Sequence, residues 1–216
     1  MNEISMEIIH PDFNRYAESH SSPESSLLKR INRETYATLL MPRMLSGHLQ
    51  GRFLAMISKM IKPHRILEIG TYTGYSALCL AEGLTPHGKL VTLDINEELE
   101  ERVRAYFKES GFEDRIDYQV GDALEIIPAL SGLFDLVWID ADKENYTQYY
   151  DLVIDKVPSG GFILADNVLW SGKILEAKPD KSTIAVKAFN KKILEDERVE
   201  KVLAPIRDGI LMMRKI

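Results

Sequence analysis

The residues best equipped for chemistry lie in short stretches, each following an apolar run. Asp140-Ala141-Asp142-Lys143 follows the run Phe134–Ile139, and Asp166-Asn167 follows Gly161–Ala165. Two carboxylates and an amide oxygen are hard ligands. They suit Mg²⁺, Mn²⁺ or Ca²⁺ with positions left open for water or substrate, and these stretches lack the His and Cys that zinc prefers. Any one of these residues could simply be ending a strand as a turn former. Their convergence at neighbouring strand ends is harder to dismiss, because a doubly wound sheet gathers such ends into one crevice.

A second group of residues suits a nucleoside. Glu68-Ile69-Gly70-Thr71-Tyr72-Thr73-Gly74-Tyr75-Ser76 is a glycine turn between an apolar run and a helical pattern, where a ligand can approach the backbone at a helix N-terminus. Asp94 ends the next apolar run, where an acid can accept from both ribose hydroxyls. Gly121-Asp122-Ala123 follows the third, either as a wall for adenine or as a helix N-cap at Asp122. The turn reads Gly-x-x-x-Gly rather than the G-x-G-x-x-G that seats a pyrophosphate. Glu68, expected to point into the crevice, would repel a pyrophosphate but suits a cofactor carrying a sulfonium and an ammonium group. S-adenosylmethionine fits that description.

The elements that position these residues follow from periodicity. Between Glu24 and Met41 apolar residues recur at helical spacing, and a second helix is expected from about Gln50 to Ile61, before Pro63. Pro42–Gly47 reads as an exposed loop. From Arg65 onward, short apolar runs alternate with helical patterns: strands at 65–70, 89–95, 116–120, 134–139 and 161–165, and helices at 75–84, 97–110, 123–130, 146–157 and 183–195. This alternation predicts a parallel α/β sheet. Val199–Pro205 and Ile210–Arg214, joined by Arg207-Asp208-Gly209, predict an antiparallel closing hairpin. The expected fold class is a Rossmann-like, doubly wound, mostly parallel seven-stranded α/β sheet. A single domain is expected over residues 1–216, with a helical cap over 1–62 and the core over 63–216.

Composition excludes several function classes. The chain has 216 residues, 45% hydrophobic and 28% charged, with a formal net charge of -6. Its charges are scattered, so no basic run offers a footprint for nucleic acid or a membrane surface, and a small-molecule partner is expected. No segment approaches the ~20 apolar residues of a membrane span, and Met1–His10 lacks the pattern of a secretory signal. The single cysteine, Cys79, reads as a core residue, and a cytoplasmic location is expected.

These stretches resemble the cation-dependent O-methyltransferases, the group containing the catechol and caffeoyl-CoA O-methyltransferases. The resemblance runs from Met44 to Ile216. It is carried by Leu67–Ser76, by Leu93-Asp94-Ile95-Asn96, by Ile139–Tyr146, by Asp166-Asn167-Val168-Leu169-Trp170-Ser171-Gly172 and by Asp208-Gly209-Ile210. It implies that Asp140, Asp166 and Asn167 bind the metal and that Lys143 is the general base. It also implies that Met44, Ser46, Glu68, Gly70, Tyr72, Ser76, Asp94, Ile95, Gly121, Ala123 and Asp140 line the S-adenosylmethionine site, and that the protein is a homodimer. Two places depart from the family pattern: His48 and Leu49 stand where many relatives carry an acid, and Ala204-Pro205-Ile206 offers no carboxylate beside the acceptor.

The expected reaction is methylation of a hydroxyl on a catechol-like, vicinal dihydroxy aromatic. A dication would stabilise the phenolate and Lys143 would take the proton. Trp170 and Tyr146 could flank a flat acceptor or simply be packing. Three rival readings remain: a methyltransferase of this fold acting on another acceptor, a non-catalytic cofactor-binding module, and an NAD-dependent oxidoreductase. The last is disfavoured by the glycine spacing and by Glu68.

Overall fold

The computed structural model describes residues 9–216; the part of the expected cap at residues 1–8 lies outside the described residues. Five parallel strands form the middle and one side of the sheet: β1 (Arg65–Ile69), β2 (Lys89–Asp94), β3 (Ile116–Val120), β4 (Leu136–Ile139) and β5 (Phe162–Ala165). β6 (Val199–Ala204) and β7 (Ile210–Lys215) complete it in the order β3-β2-β1-β4-β5-β7-β6, with β7 antiparallel to both β5 and β6. The doubly wound sheet and its antiparallel C-terminal hairpin are therefore as the alternation of runs predicted.

Strand alternation sorts the core into two layers. Leu67, Ile69, Val137, Ile139, Ile163 and Ala165 face one side, covered by α6 (Ala123–Ala129), α7 (Tyr146–Val153) and α8 (Lys181–Glu195). Ile66, Leu90, Leu136, Trp138 and Leu164 face the other, covered by α2 (Ser26–Thr38), α3 (Gly47–Ile61), α4 (Tyr75–Ala81) and α5 (Glu100–Ser110). With both faces covered, the central strands β1 and β4 are buried along nearly their whole length, which is why they read as continuous apolar runs. Cys79 is fully buried in the second layer, as expected of a core residue.

Three local expectations change. A further helix, α1 (Pro11–Ser19), precedes α2; it has Pro at its first turn and a side-chain cap from His10. Phe13, Tyr16 and Ala17 share one of its faces, yet nothing on it is buried. Pro42–Met44 forms a 3₁₀ turn, and the segment after it is not exposed: Leu45 and Ser46 are buried. Helix α3 begins at Gly47, earlier than expected, which brings Gln50 inside its first turns.

The topology reverses at β1, whose neighbours are β2 and β4. In an open α/β sheet the chain leaves the strands on either side of such a reversal in opposite directions, so the ligand crevice opens at their carboxyl ends. There the backbone of Gly70 (φ 104°) lies so close to β4 that a Cβ on it would stand 2.2 Å from the Asp140 carbonyl oxygen. Only glycine allows the two strand ends to approach this closely.

Candidate active site

The crevice at these strand ends is a cavity of about 970 Å³. One side is the nucleoside wall. Gly70, Tyr72 and Ser76 from the first turn line it, with Asp94 and Ile95 after β2 and Gly121 and Ala123 after β3. Asp94 also builds its own surroundings: Oδ2 accepts from the backbone N–H of Tyr72 at 2.6 Å, and Oδ1 from that of Asn96 at 2.9 Å. Each oxygen keeps a lone pair for a ligand hydroxyl. The first bond holds Tyr72 at φ 48°, a left-handed conformation rare outside glycine. Met44 and Ser46 line the cavity from the loop before α3.

Glu68 alone among the expected site residues is not on the cavity wall. It follows Leu67 on the strand, so its side chain points to the opposite face, into the layer beneath α4, and is 0% exposed. Oε2 accepts from Thr92 Oγ1, while Oε1 has no hydrogen-bond partner. Burial pushes the carboxyl up to about 8, opposed by the nearby Ser76 and Thr92 hydroxyls and reinforced by the charges of Asp140 and Asp94. Glu68 thus lies beneath the crevice wall as a mostly protonated, neutral carboxyl and does not face into the cavity.

The other side of the cavity holds the acidic residues. Asp140, Asp166, Asn167 and Lys143 line it together, although they come from two separate strand ends. Burial raises the Asp140 carboxyl; Lys143 pulls it back and the negative charge of Asp166 raises it further. Asp166 is 3% exposed, accepts from the Asn167 backbone N–H at 2.8 Å, and is followed by Asn167 at φ 56°. Lys143 donates to Asp140 Oδ1 at 3.1 Å, the Ala141 carbonyl at 2.8 Å and the Tyr146 hydroxyl at 2.6 Å. The Asp142 carboxylate accepts from the Tyr149 hydroxyl.

Trp170 lines the cavity as expected of an aromatic beside a flat acceptor, and Tyr146 does not. Tyr146 is fully buried, packed edge-on against Phe189 at 5.4 Å between ring centroids. It serves the site through its hydroxyl and through its ring, whose centroid lies 4.7 Å from Lys143 Nζ.

Among the described residues no three His, Cys, Asp or Glu side chains are grouped to hold a metal ion. The candidate set is instead two carboxylates and an amide, and its chemistry fits a hard cation. Two acids in one low-dielectric pocket raise each other's cost of ionisation, and a dication would relieve it.

Comparison with known proteins decides the family. Residues 18–216 match the sequence profile of the O-methyltransferase family. The chain belongs to that family. The methyltransferase is 37% identical over 180 residues to caffeoyl-CoA O-methyltransferase 1 of Eucalyptus globulus, covering 77% of this chain and 73% of the relative. It is 36% identical over 173 residues to catechol O-methyltransferase domain-containing protein 1 of Mus musculus, covering 77% and 66%. The SAH-bound methyltransferase PaMTH1 of Podospora anserina superposes with a TM-score of 0.87 at 30% identity, over 95% of this chain and 94% of that one. An O-methyltransferase from Bacillus cereus in complex with SAH superposes with a TM-score of 0.86 at 27% identity, over 94% and 97%. These cofactor-bound relatives support the S-adenosylmethionine reading of the nucleoside wall.

Sequence reasoning passed over two residues of the methyltransferase site. Gln50 is 0% exposed, and its Nε2 donates to Asp166 Oδ2 at 2.6 Å. Arg207, in the hairpin turn and lining the cavity, donates from Nη1 to Gln50 Oε1 at 2.8 Å, to the Leu45 carbonyl at 3.1 Å and to the Ser46 carbonyl. The available signal was Gln50 itself, an amide in the buried stripe it shares with Leu54 and Ser58.

Proposed function

We propose that this enzyme transfers the methyl group of S-adenosylmethionine to one hydroxyl of a catechol-like small molecule, with a divalent cation held by Asp140, Asp166 and Asn167. The observation that carries the reading is the meeting of this hard-oxygen set and Lys143 with a nucleoside wall in one cavity. Similarity to caffeoyl-CoA and catechol enzymes supports a phenolic acceptor. When bound, the cation would stabilise the negative charge of a phenolate oxygen and lower its hydroxyl pKa.

The chain's own residues do the rest. Asp94, with a free lone pair on each oxygen, holds the ribose hydroxyls, while Gly121 and Ala123 flank the base. Lys143 takes the acceptor proton at Nζ, and its bonds to Ala141 and Tyr146 keep that nitrogen aimed at the floor of the cavity. Trp170 offers an aromatic face beside it; Lys143 Nζ lies 6.0 Å from its ring centroid. Holding nucleophile and methyl donor in line is the main contribution such a rigid crevice can make.

A homodimer belongs to the same proposal. A groove of about 880 Å³ lies between Ile57, Met60 and Ile61 of α3 and Phe162, Val202 and Met212 of the sheet, and Met60 and Val202 stand 71% and 55% exposed. Apolar surface of this kind fits burial by a second copy. A cytoplasmic setting is also proposed, supported by the single, buried, unpaired thiol. Among the described residues no helix is long and apolar enough to cross a membrane.

The test is incubation with S-adenosylmethionine and caffeate, with Mg²⁺ or with excess EDTA, read by mass spectrometry. A gain of one methylene that disappears in EDTA and in Asp140→Ala is the expected result. Cofactor binding with no methylated catechol under any metal condition would overturn the acceptor assignment, and methylation that persists in EDTA would overturn the metal.

A further inference from the structure

Gln50 sits where two groups of opposite demand meet. An ionised carboxylate can only accept hydrogen bonds and a guanidinium can only donate them. The amide between Asp166 and Arg207 therefore has one satisfactory orientation, with Nε2 toward Asp166 Oδ2 at 2.6 Å and Oε1 toward Arg207 Nη1 at 2.8 Å. The reverse would set oxygen against oxygen and nitrogen against nitrogen. Arg207 is anchored in turn on the carbonyls of Leu45 and Ser46, so the amide is locked from its far end.

The effect on Asp166 is specific. Oδ1 accepts from the Asn167 backbone N–H and Oδ2 from Gln50, one donor on each oxygen, which fixes the plane of the carboxylate and leaves a lone pair free on each. A neutral donor accomplishes this without cancelling the negative charge, as a lysine in the same place would. A buried amide in a helix stripe is costly unless both ends are paired, and here both are.

We infer that Gln50 is the positioning residue for Asp166: the Arg207-locked amide orients the carboxylate and so sets the affinity of the cation site. The inference rests on the proposed metal-dependent function and adds a residue from the helical region to it. Partners that orient metal ligands typically account for about ten- to a hundred-fold in metal affinity or activity. A mere tie between α3 and the sheet would instead affect stability and leave cation affinity alone.

The test uses two neutral replacements. Gln50→Met keeps the length and removes both hydrogen bonds. Gln50→Asn keeps the amide but withdraws it by one methylene, and it decides the matter if the methionine variant does not fold. Mn²⁺ binding to the full-length protein with SAH bound is followed by the electron paramagnetic resonance of free Mn²⁺, alongside SAH affinity in EDTA and thermal melting. The expected result is Mn²⁺ affinity weakened about ten-fold or more, with SAH affinity in EDTA unchanged. Variants that hold Mn²⁺ as tightly as wild type, whatever their melting temperature, overturn the positioning role and leave the proposed function standing. Wild-type protein that binds no Mn²⁺ overturns both.

Discussion

Lys143 Nζ lies 2.6 Å from the hydroxyl oxygen of Tyr146, a side chain with no exposed surface. It also lies within hydrogen-bonding distance of Asp140 Oδ1 and the Ala141 carbonyl, so three protein contacts fix the position of the nitrogen. A surface lysine has no such frame. Lys143→Met is expected to lower kcat by about 10²-fold or more, the usual range for losing a positioned base, with little effect on SAH binding. Steady-state kinetics beside SAH titration checks this; a fall confined to SAH affinity would assign Lys143 to cofactor binding.

Glu68 gives a pH prediction. Its folded-state carboxyl is raised to about 8 against an ordinary value of 4.5, chiefly by burial. The folded protein therefore keeps a proton that the unfolded chain releases. The associated stability is full below about 4.5 and is lost as pH rises through 8. Glu68→Gln, which stays neutral, should match wild type near pH 4.5 and melt progressively higher than wild type up to pH 8, by about 3 °C or more at the plateau. Melting curves of both proteins across this range decide it; a constant difference would mean that the Glu68 carboxyl titrates alike in the folded and unfolded chain.

Gly70→Ala should disable the crevice from below. The added Cβ would meet the Asp140 carbonyl at 2.2 Å, and the backbone at φ 104° is one that alanine rarely adopts. Both faults force β1 and β4 apart at the cavity floor. The expected outcome is a loss of more than about 1 kcal/mol of stability with weakened SAH binding, measured by denaturant unfolding and calorimetry. Unchanged SAH affinity would show that the strand ends tolerate separation.

Light scattering should give a particle of twice the 24.6 kDa of the chain. Val202→Glu places a charge in the exposed groove without touching the cavity, and it should shift the particle toward the single-chain mass. A wild-type particle of single-chain mass would refute the homodimer.

The sheet was legible because β1, β2, β4 and β5 are covered on both faces and their apolar runs have no other use. The hairpin was legible because Asp208-Gly209 is turn chemistry, and Gly209 does adopt φ 85°. The acidic set was legible as residue types at strand ends. Glu68 was misjudged by one step of strand alternation: an acid at a strand's end looks outward in a linear reading, whereas its parity with Ile66 sends it under α4. Helix α1 is less legible because its apolar face, Phe13, Tyr16 and Ala17, covers little more than one turn, and in the structure Phe13 and Tyr16 stay 70% and 65% exposed. The Gln50–Arg207 contact spans 157 positions, and neither residue belongs to a local pattern that points to the other.

That span also orders events during synthesis. The wall around Ser46 and the amide on Asp166 are both held by a side chain from the closing hairpin, nine residues before the last described position. Contacts of such separation form late, because the intervening chain must first be made and brought together. The acidic pocket therefore acquires its final geometry only once the closing hairpin has been made, and a polypeptide stalled before it, however well its first five strands have paired, carries an unfinished catalyst.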